Sequence, residues 1–421
     1  MGGSMYSDLR SKLQMYKSMP ESKTAHSPKR GPDIDKVIQG TVCGNEEGSY
    51  FVIENRYSSL YLHGGYNMGC ILDHDINPVT KACTGVKESV DIRKLAFLDT
   101  ETTGLSGGVG TVAFLIGIGI FEGDTFVLRQ YFMRDYDEEY PMLKAVNALL
   151  SSYKGLVTFN GKSFDWNLLQ TRFTANRLRP LLKDPLHFDL LYPSRMLWKL
   201  SLESCRLSSL EEHILGEYRT DDIPGAMIPG IYFKYLDDRN AGDIKKVITH
   251  NEKDILSMVS LMTKINSLLG NPEKEATNGW ELLGAGRIFE KHDEGESAIN
   301  CFEQSSLSDN SALKELSLKK LAHINKRNKN YEKAVSQLKL IIEGSQTPNI
   351  PVMIELSKHY EHRLKDIPKA LEVAQQAVDA CLRAGFLRNM YYDELKNRLE
   401  RLRRKSRLSG NTPRGDADSI L

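Results

Sequence analysis

Apolar and polar positions alternate differently along the chain and divide it into stretches of distinct character. Residues 1–34 show no periodic apolar stripe beyond "SDLRSKLQMYKSM", which predicts one short amphipathic helix in a flexible arm rich in Ser, Lys and Pro. Residues 35–90 are expected to be strand-rich. Here "SYFVIENRYSSLYL" alternates β-branched and aromatic residues with polar ones, and the Gly-rich turn "HGGYNMG" follows. From residue 91 to 270 the pattern predicts an α/β domain. "KLAFLD", "VAFLIGIGIFEGD" and "TFVLRQYFMR" are apolar strands joined by short turns, which favours antiparallel pairing. "DEEYPMLKAVNALLSSY" reads as a helix with an acidic first turn, "GLVTFNG" as a fourth strand and "SFDWNLLQTRFTANRL" as the next helix. The expected fold class is therefore a mixed α/β sheet with flanking helices.

The remainder, 278–405, is helical and periodic. Ala298, Ala334 and Ala370 recur every 36 residues, each preceded by a helix-like stretch with paired apolar and small residues: Leu283-Gly284, Leu321-Ala322, Leu356-Ser357. A small residue at that period lets two helices pack closely, and the pattern resembles all-α tetratricopeptide-like repeats. About three helical hairpins are expected between 278 and 385. Such arrays either recruit a protein partner or extend the packing of a catalytic domain, and both readings stay open. The closing run Arg401, Arg403, Arg404, Lys405 and Arg407 reads as a solvated face complementing the helix dipole rather than a phosphate site. Residues 406–421 are expected to be a disordered tail.

Composition narrows the picture only slightly. The chain has 421 residues, 40% hydrophobic and 26% charged, which suits a soluble protein of two or three domains. Its net charge of +1 means that a nucleic-acid partner must be held by a local patch. No run of 18 apolar residues occurs and no secretory signal opens the chain, so no membrane association and a cytoplasmic location are expected. The six cysteines are scattered without a C-x-x-C pair, as reduced thiols would be. His63, Cys70, His74 and Cys83 cluster in sequence, but their spacing matches no common zinc module.

The chemistry is carried by acidic residues. Asp99 and Glu101 end an apolar strand two positions apart, so their carboxylates share a face and repel. Asp165 lies in the first turns of a helix, five residues after Asn160. His250 and Asp254 stand one turn apart on a late helix with an apolar stripe. Each feature alone has a bland explanation: chance, a helix-dipole partner, a surface pair. Asp189, in "HFDLL", is read as structural or as an outer partner of the site.

Together, in this order, they resemble the DEDD superfamily of 3′-to-5′ exonucleases. "FLDTETTGLSGGVGT", "VTFNGKSFDWNLLQTRF", "HFDLL", "DDIPGAMIPGIYFKYL" and "HNEKDILS" are similar to the YprB-type family of ribonuclease H-like proteins, in which a catalytic domain precedes helical repeats. The resemblance implies a ribonuclease H-like sheet and two divalent cations, Mg²⁺ or Mn²⁺, held by Asp99, Glu101, Asp165 and Asp254. Hard oxygen donors suit those ions, and two of them can serve an in-line phosphodiester displacement. His250 would orient or deprotonate the water. The spacing here is H-x-x-x-D, that of the branch using Tyr rather than His, which leaves the base assignment open. Thr102, Thr103, Gly104 and Leu105 would seat a terminal nucleotide, with Asn160 and Lys162 at sugar or phosphate. The implied activity is 3′-to-5′ exonucleolytic hydrolysis of single-stranded DNA or RNA. A non-hydrolytic nucleic-acid-binding protein is the alternative, and an endonuclease or a phosphodiesterase of short oligomers the third.

Overall fold

The computed structural model describes residues 32–104, 110–383 and 390–409. The arm up to residue 31, Leu105 and the tail from 410 lie outside the described residues. Among the described residues nine strands form: β1 (Thr41–Asn45), β2 (Gly48–Tyr57), β3 (Leu62–His63), β4 (Tyr66–Asn67), β5 (Leu95–Thr102), β6 (Ala113–Glu122), β7 (Thr125–Phe132), β8 (Gly155–Thr158) and β9 (Leu186–Asp189). Seven of them make one sheet in the order β1-β2-β7-β6-β5-β8-β9, while β3 and β4 form a separate small hairpin. The meander β5-β6-β7 is antiparallel, and β8 and β9 add in parallel to β5. This matches the ribonuclease H-like expectation.

Residues 41–57 extend the sheet, because β2 pairs antiparallel with β7 along seven residues. The strand-rich reading of 35–90 missed a helical part. A 3₁₀ turn (Met68–Asp73) leads into helix α1 (Asn77–Thr84), which has Pro78 in its first turn and ends on Gly85 at φ 75°. Proline at the start and a left-handed glycine just past the end are helix punctuation, which the strand-and-turn pattern obscured.

Helices cover both faces. α2 (Glu139–Leu150) and α3 (Asp165–Ala175) follow the meander, and α4 (Leu191–Trp198) follows β9. α5 (Ile228–Asp238) and the 27-residue α6 (Ile244–Gly270) complete the domain. One apolar core lies between the sheet and α2, α3 and α5; the other runs from Leu95, Phe97 and Val157 through α6 into the helical region. α6 also fastens the extension. Tyr57 donates to Glu252 (2.6 Å), His63 Nε2 meets Ser257 Oγ (2.8 Å), Ser260 donates to the His63 carbonyl, and Asn266 donates to that of Asp75. His63 is thus occupied in packing, and all six cysteines are free thiols.

Three helix pairs follow: α7 (Gly279–Lys291) with α8 (Gly295–Ser305), α9 (Ser311–Arg327) with α10 (Tyr331–Gly344), and α11 (Ile350–His359) with α12 (Ile367–Arg383). Ala298, Ala334 and Ala370 are each 0% exposed at the helix contacts. The last helix, α13 (Met390–Ser409), brings Arg398, Arg401 and Lys405 onto the buried carboxylate of Glu361. Arg401, Arg403, Arg404, Lys405 and Arg407 are nevertheless all exposed, as expected for a solvated face, with Arg401 and Lys405 also pairing with Glu361.

The helical pairs are built onto the sheet domain. Trp198 at the end of α4 donates through Nε1 to Glu281 (2.8 Å), which also accepts from the Thr277 amide (2.7 Å). Gly284 lies against α4 so closely that a Cβ there would come within 2.6 Å of Leu197 Cα. Replacing Glu281 with Ala strands a buried indole N–H and is expected to lower stability by about 1–3 kcal/mol. Urea unfolding of the full chain measures this; an unchanged midpoint would mean that the joint carries no stability.

Candidate active site

The site forms where β5 runs out of the core. Leu95, Ala96, Phe97 and Leu98 are buried, and the last four residues are half-buried. Side-chain alternation puts Asp99 and Glu101 on the face covered by α6. Across the sheet, Asp99 pairs with Gly117 on β6, and Gly117 pairs with Gln130 on β7. The glycine leaves a slot in the middle of this row, and Asn251 of α6 drops into it. Asn251 Nδ2 donates to Asp99 Oδ2 (2.7 Å), while its Oδ1 accepts from Gln130 Nε2 (2.8 Å). Gln130 also donates to the Ile248 carbonyl (2.8 Å), so the amide relay is anchored to the helix that it aligns. Asn251 and Gln130 were not singled out from the sequence. The available signal was an amide among the apolar and aromatic residues of "TFVLRQYF"; the structure buries it fully.

Asp165 opens α3, and Thr100 donates to its Oδ1 (2.5 Å). The turn before it is set by Asp189. That buried carboxylate accepts from the amides of Asn160 (2.8 Å), Lys162 (3.1 Å) and Leu191 (3.1 Å), and Asn160 sits in the left-handed region at φ 66°. Asp189 is therefore structural. It fixes the loop that presents Asn160, Lys162 and Asp165.

His250 and Asp254 share a face of α6. His250 Nδ1 lies 2.8 Å from Asp222 Oδ1, so its Nε2 faces Glu101 Oε1 (3.8 Å) and Asp254 Oδ2 (3.7 Å). Asp254 Oδ1 accepts from Arg219 Nη2, and Arg219 is held in turn by both oxygens of the buried Glu211 (2.6 and 2.5 Å). In the loop after β5, the Thr102 hydroxyl bonds the Gly104 carbonyl (2.7 Å), and the Thr103 hydroxyl accepts from the Val112 amide (3.0 Å). Both hydroxyls thus shape the loop. Asp222, Arg219 and Glu211 also escaped sequence reasoning, since nothing in "EEHILGEYRTDD" marks them for one pocket.

The acids act on one another electrostatically. Burial pushes Asp99 well above the usual carboxylate range, reinforced by Asp254 and Asp165. Glu101 is raised likewise by burial, then by Asp99, Asp254 and Asp165. Burial raises Asp165 from 3.8 to about 6 against the pull of the Thr100 hydrogen bond. Asp222 goes the other way: burial alone would raise it, but His250 and Arg219 outweigh that and lower it. Four carboxylates thus share one field. Among the described residues, no three His, Cys, Asp or Glu side chains as they lie form a metal-sized cage. The donor set itself fits hard divalent cations, because its surplus negative charge is what such an ion neutralises.

A raised carboxyl disfavours the charged folded form. The penalty is absent below about pH 4, grows between 3.8 and about 6, and is complete above that. Asp165→Asn should therefore stabilise the metal-free protein above pH 6 by up to about 3 kcal/mol, with the gain fading toward pH 4. Paired melts of parent and variant in chelator across pH 4–8 test this. A difference that is flat or inverted with pH would contradict it.

Comparison with known proteins agrees with this architecture. Residues 96–266 match the family described as the RNase_H superfamily, a span that contains Asp99, Glu101, Asp165, His250 and Asp254. The protein named "Uncharacterized protein YprB" of Bacillus subtilis (strain 168) is 33% identical over 317 residues, covering 74% of this chain and 75% of that one. Among the described residues, no helix is long and apolar enough to cross a membrane.

Proposed function

Since the chain belongs to the ribonuclease H superfamily, and within it to the YprB-type family, we propose that it is a metal-dependent nuclease acting as a 3′-to-5′ exonuclease on single-stranded DNA or RNA. The observation that carries this reading is the convergence of acids on α6: His250 Nε2 lies 3.8 Å from Glu101 and 3.7 Å from Asp254, Asn251 holds Asp99 at 2.7 Å, and Asp254 and Asp165 both press on Asp99 and Glu101. A fold has no stability reason to gather like charges in a low-dielectric corner; catalysis through cations supplies one.

Asp99, Glu101, Asp165 and Asp254 would hold two divalent ions, Mg²⁺ or Mn²⁺. When bound, these supply an activated water and counter-charge for the leaving oxygen. The chain's own residues then divide the remaining tasks. Asn251 fixes the Asp99 carboxylate through one oxygen and leaves the other for a ligand. Asp222 accepts from His250 Nδ1, so Nε2 is the atom that takes a proton near Glu101 and Asp254. The Thr102–Gly104 loop offers backbone groups to a terminal nucleotide, and Lys162 stands exposed beside Asp165 for a phosphate.

The test uses the full chain with 5′-labelled single-stranded DNA and RNA in Mg²⁺ or Mn²⁺, beside Asp254→Asn. A ladder shortening one nucleotide at a time from the 3′ end in the parent alone supports the reading. Internal fragments would make it an endonuclease. Equal turnover by parent and variant, or none with either metal, refutes it.

A further inference from the structure

Arg219 is a feature of the site that the nuclease reading does not require. It comes from the irregular segment between the π-turn Glu211–Leu215 and the 3₁₀ turn Gly225–Met227. Its side chain is only 8% exposed. Nε and Nη2 are bound by Glu211, itself 1% exposed, and Nη2 also donates to Asp254 Oδ1. Nη1 lies 3.3 Å from Asp222 Oδ2 and 3.3 Å from His250 Nδ1. A planar guanidinium clamped by a buried carboxylate cannot swing away as an exposed lysine could. The positive charge is therefore a fixed part of the site.

We infer that Arg219 is a built-in counter-cation that competes with divalent metal for Asp254 and so sets the metal concentration at which the site fills. This rests on the metal-dependent reading above. Two electrostatic consequences both weaken metal binding. The guanidinium offsets the repulsion that Asp254 exerts on Asp99. It also occupies one of the two oxygens that Asp254 can offer a cation, and it repels any ion placed on the other. Glu211 keeps Arg219 in place whether or not Asp254 is engaged. Entry of a metal therefore weakens the Asp254 contact without unfolding the segment. Arg219 acts on the ligand set through Asp254 and is a positioning residue, separate from the groups assigned to the reaction.

Mn²⁺ binding to the full chain, followed by electron paramagnetic resonance of the free ion, tests this without any substrate. The variants are Arg219→Gln, Arg219→Lys and the neutral pair Glu211→Gln/Arg219→Gln, which leaves no buried carboxylate unpaired if the single Gln variant fails to fold. Both neutral forms should bind Mn²⁺ about tenfold more tightly than the parent, the scale typical of an outer partner of a metal ligand. Arg219→Lys, which retains the charge, should stay within about twofold of the parent. Equal or weaker binding by the folded neutral forms overturns the inference and leaves Arg219 as an aligning contact. Failure of the parent to bind Mn²⁺ at all would instead overturn the metal-dependent reading.

Discussion

Asp99→Asn is expected to abolish hydrolysis and, in the same molecule, to raise the melting temperature of the metal-free protein. Losing a proposed metal ligand should cost more than the 10–100-fold typical of the partners behind such ligands, so activity should fall by more than ~10²-fold. Stability should move the other way. Asp99 is buried, pressed by Asp254 and Asp165, and its carboxylate is disfavoured. An amide of the same shape removes that charge while its oxygen still accepts from Asn251 Nδ2. Calorimetry in chelator and a single-turnover assay give the two readings. A variant that is inactive and also less stable would mean that Asp99 is structural; a fully active one would remove it from the site.

The second large effect comes from a residue with no side chain. In Gly117→Ala the new methyl would run into Asn251 Oδ1 and Ile255 Cδ1. Overpacking of this kind typically costs about 1–3 kcal/mol, and here the strain falls on the helix that carries His250 and Asp254. The amide relay from Gln130 to Asp99 would break. Activity should drop by at least ~10-fold even at temperatures where the variant is fully folded. A Gly117→Ala protein with parent-like melting and turnover would show that α6 can shift without disturbing the acids. Isoleucine 255 offers a control, since trimming it to Val relieves one of the two clashes and should restore stability more than activity.

How much of this was legible in the sequence depended on whether neighbours in space were neighbours in the chain. Strands β5 to β7 announced themselves by apolar runs and short turns, and the helix pairs by their 36-residue alanine period. Asp99 and Glu101 were readable because a strand's two-residue repeat fixes their common face. His250 and Asp254 were readable because one helical turn does the same. Asn251, Gln130, Arg219 and Glu211 were not. Asn251, Gln130 and Arg219 act across elements separated by tens of residues, Glu211 acts through an irregular segment onto Arg219, and none of these has a periodicity to betray it. Asp189 illustrates the intermediate case: its place at a strand end suggested involvement, yet only the three amides bound to it show that it shapes the loop. The helix at 77–84 was hidden for a different reason, since β-branched and glycine-rich neighbours gave that region the look of strands.

Strand β7 would be the outer edge of the five-stranded core formed by β5–β9, but β2 and β1 cover it. That leaves rims of five residues (β1) and four (β9) in place of the eight-residue β7. A long bare edge is a template for intermolecular strand pairing. Anyone cutting the gene to express the nuclease-like unit alone should therefore begin before Thr41. A fragment starting at residue 91 would shed the hydrogen bonds of Tyr57 and His63 to α6 along with the cover on β7. Its failure in expression trials would be one of inclusion bodies, not of missing catalytic groups.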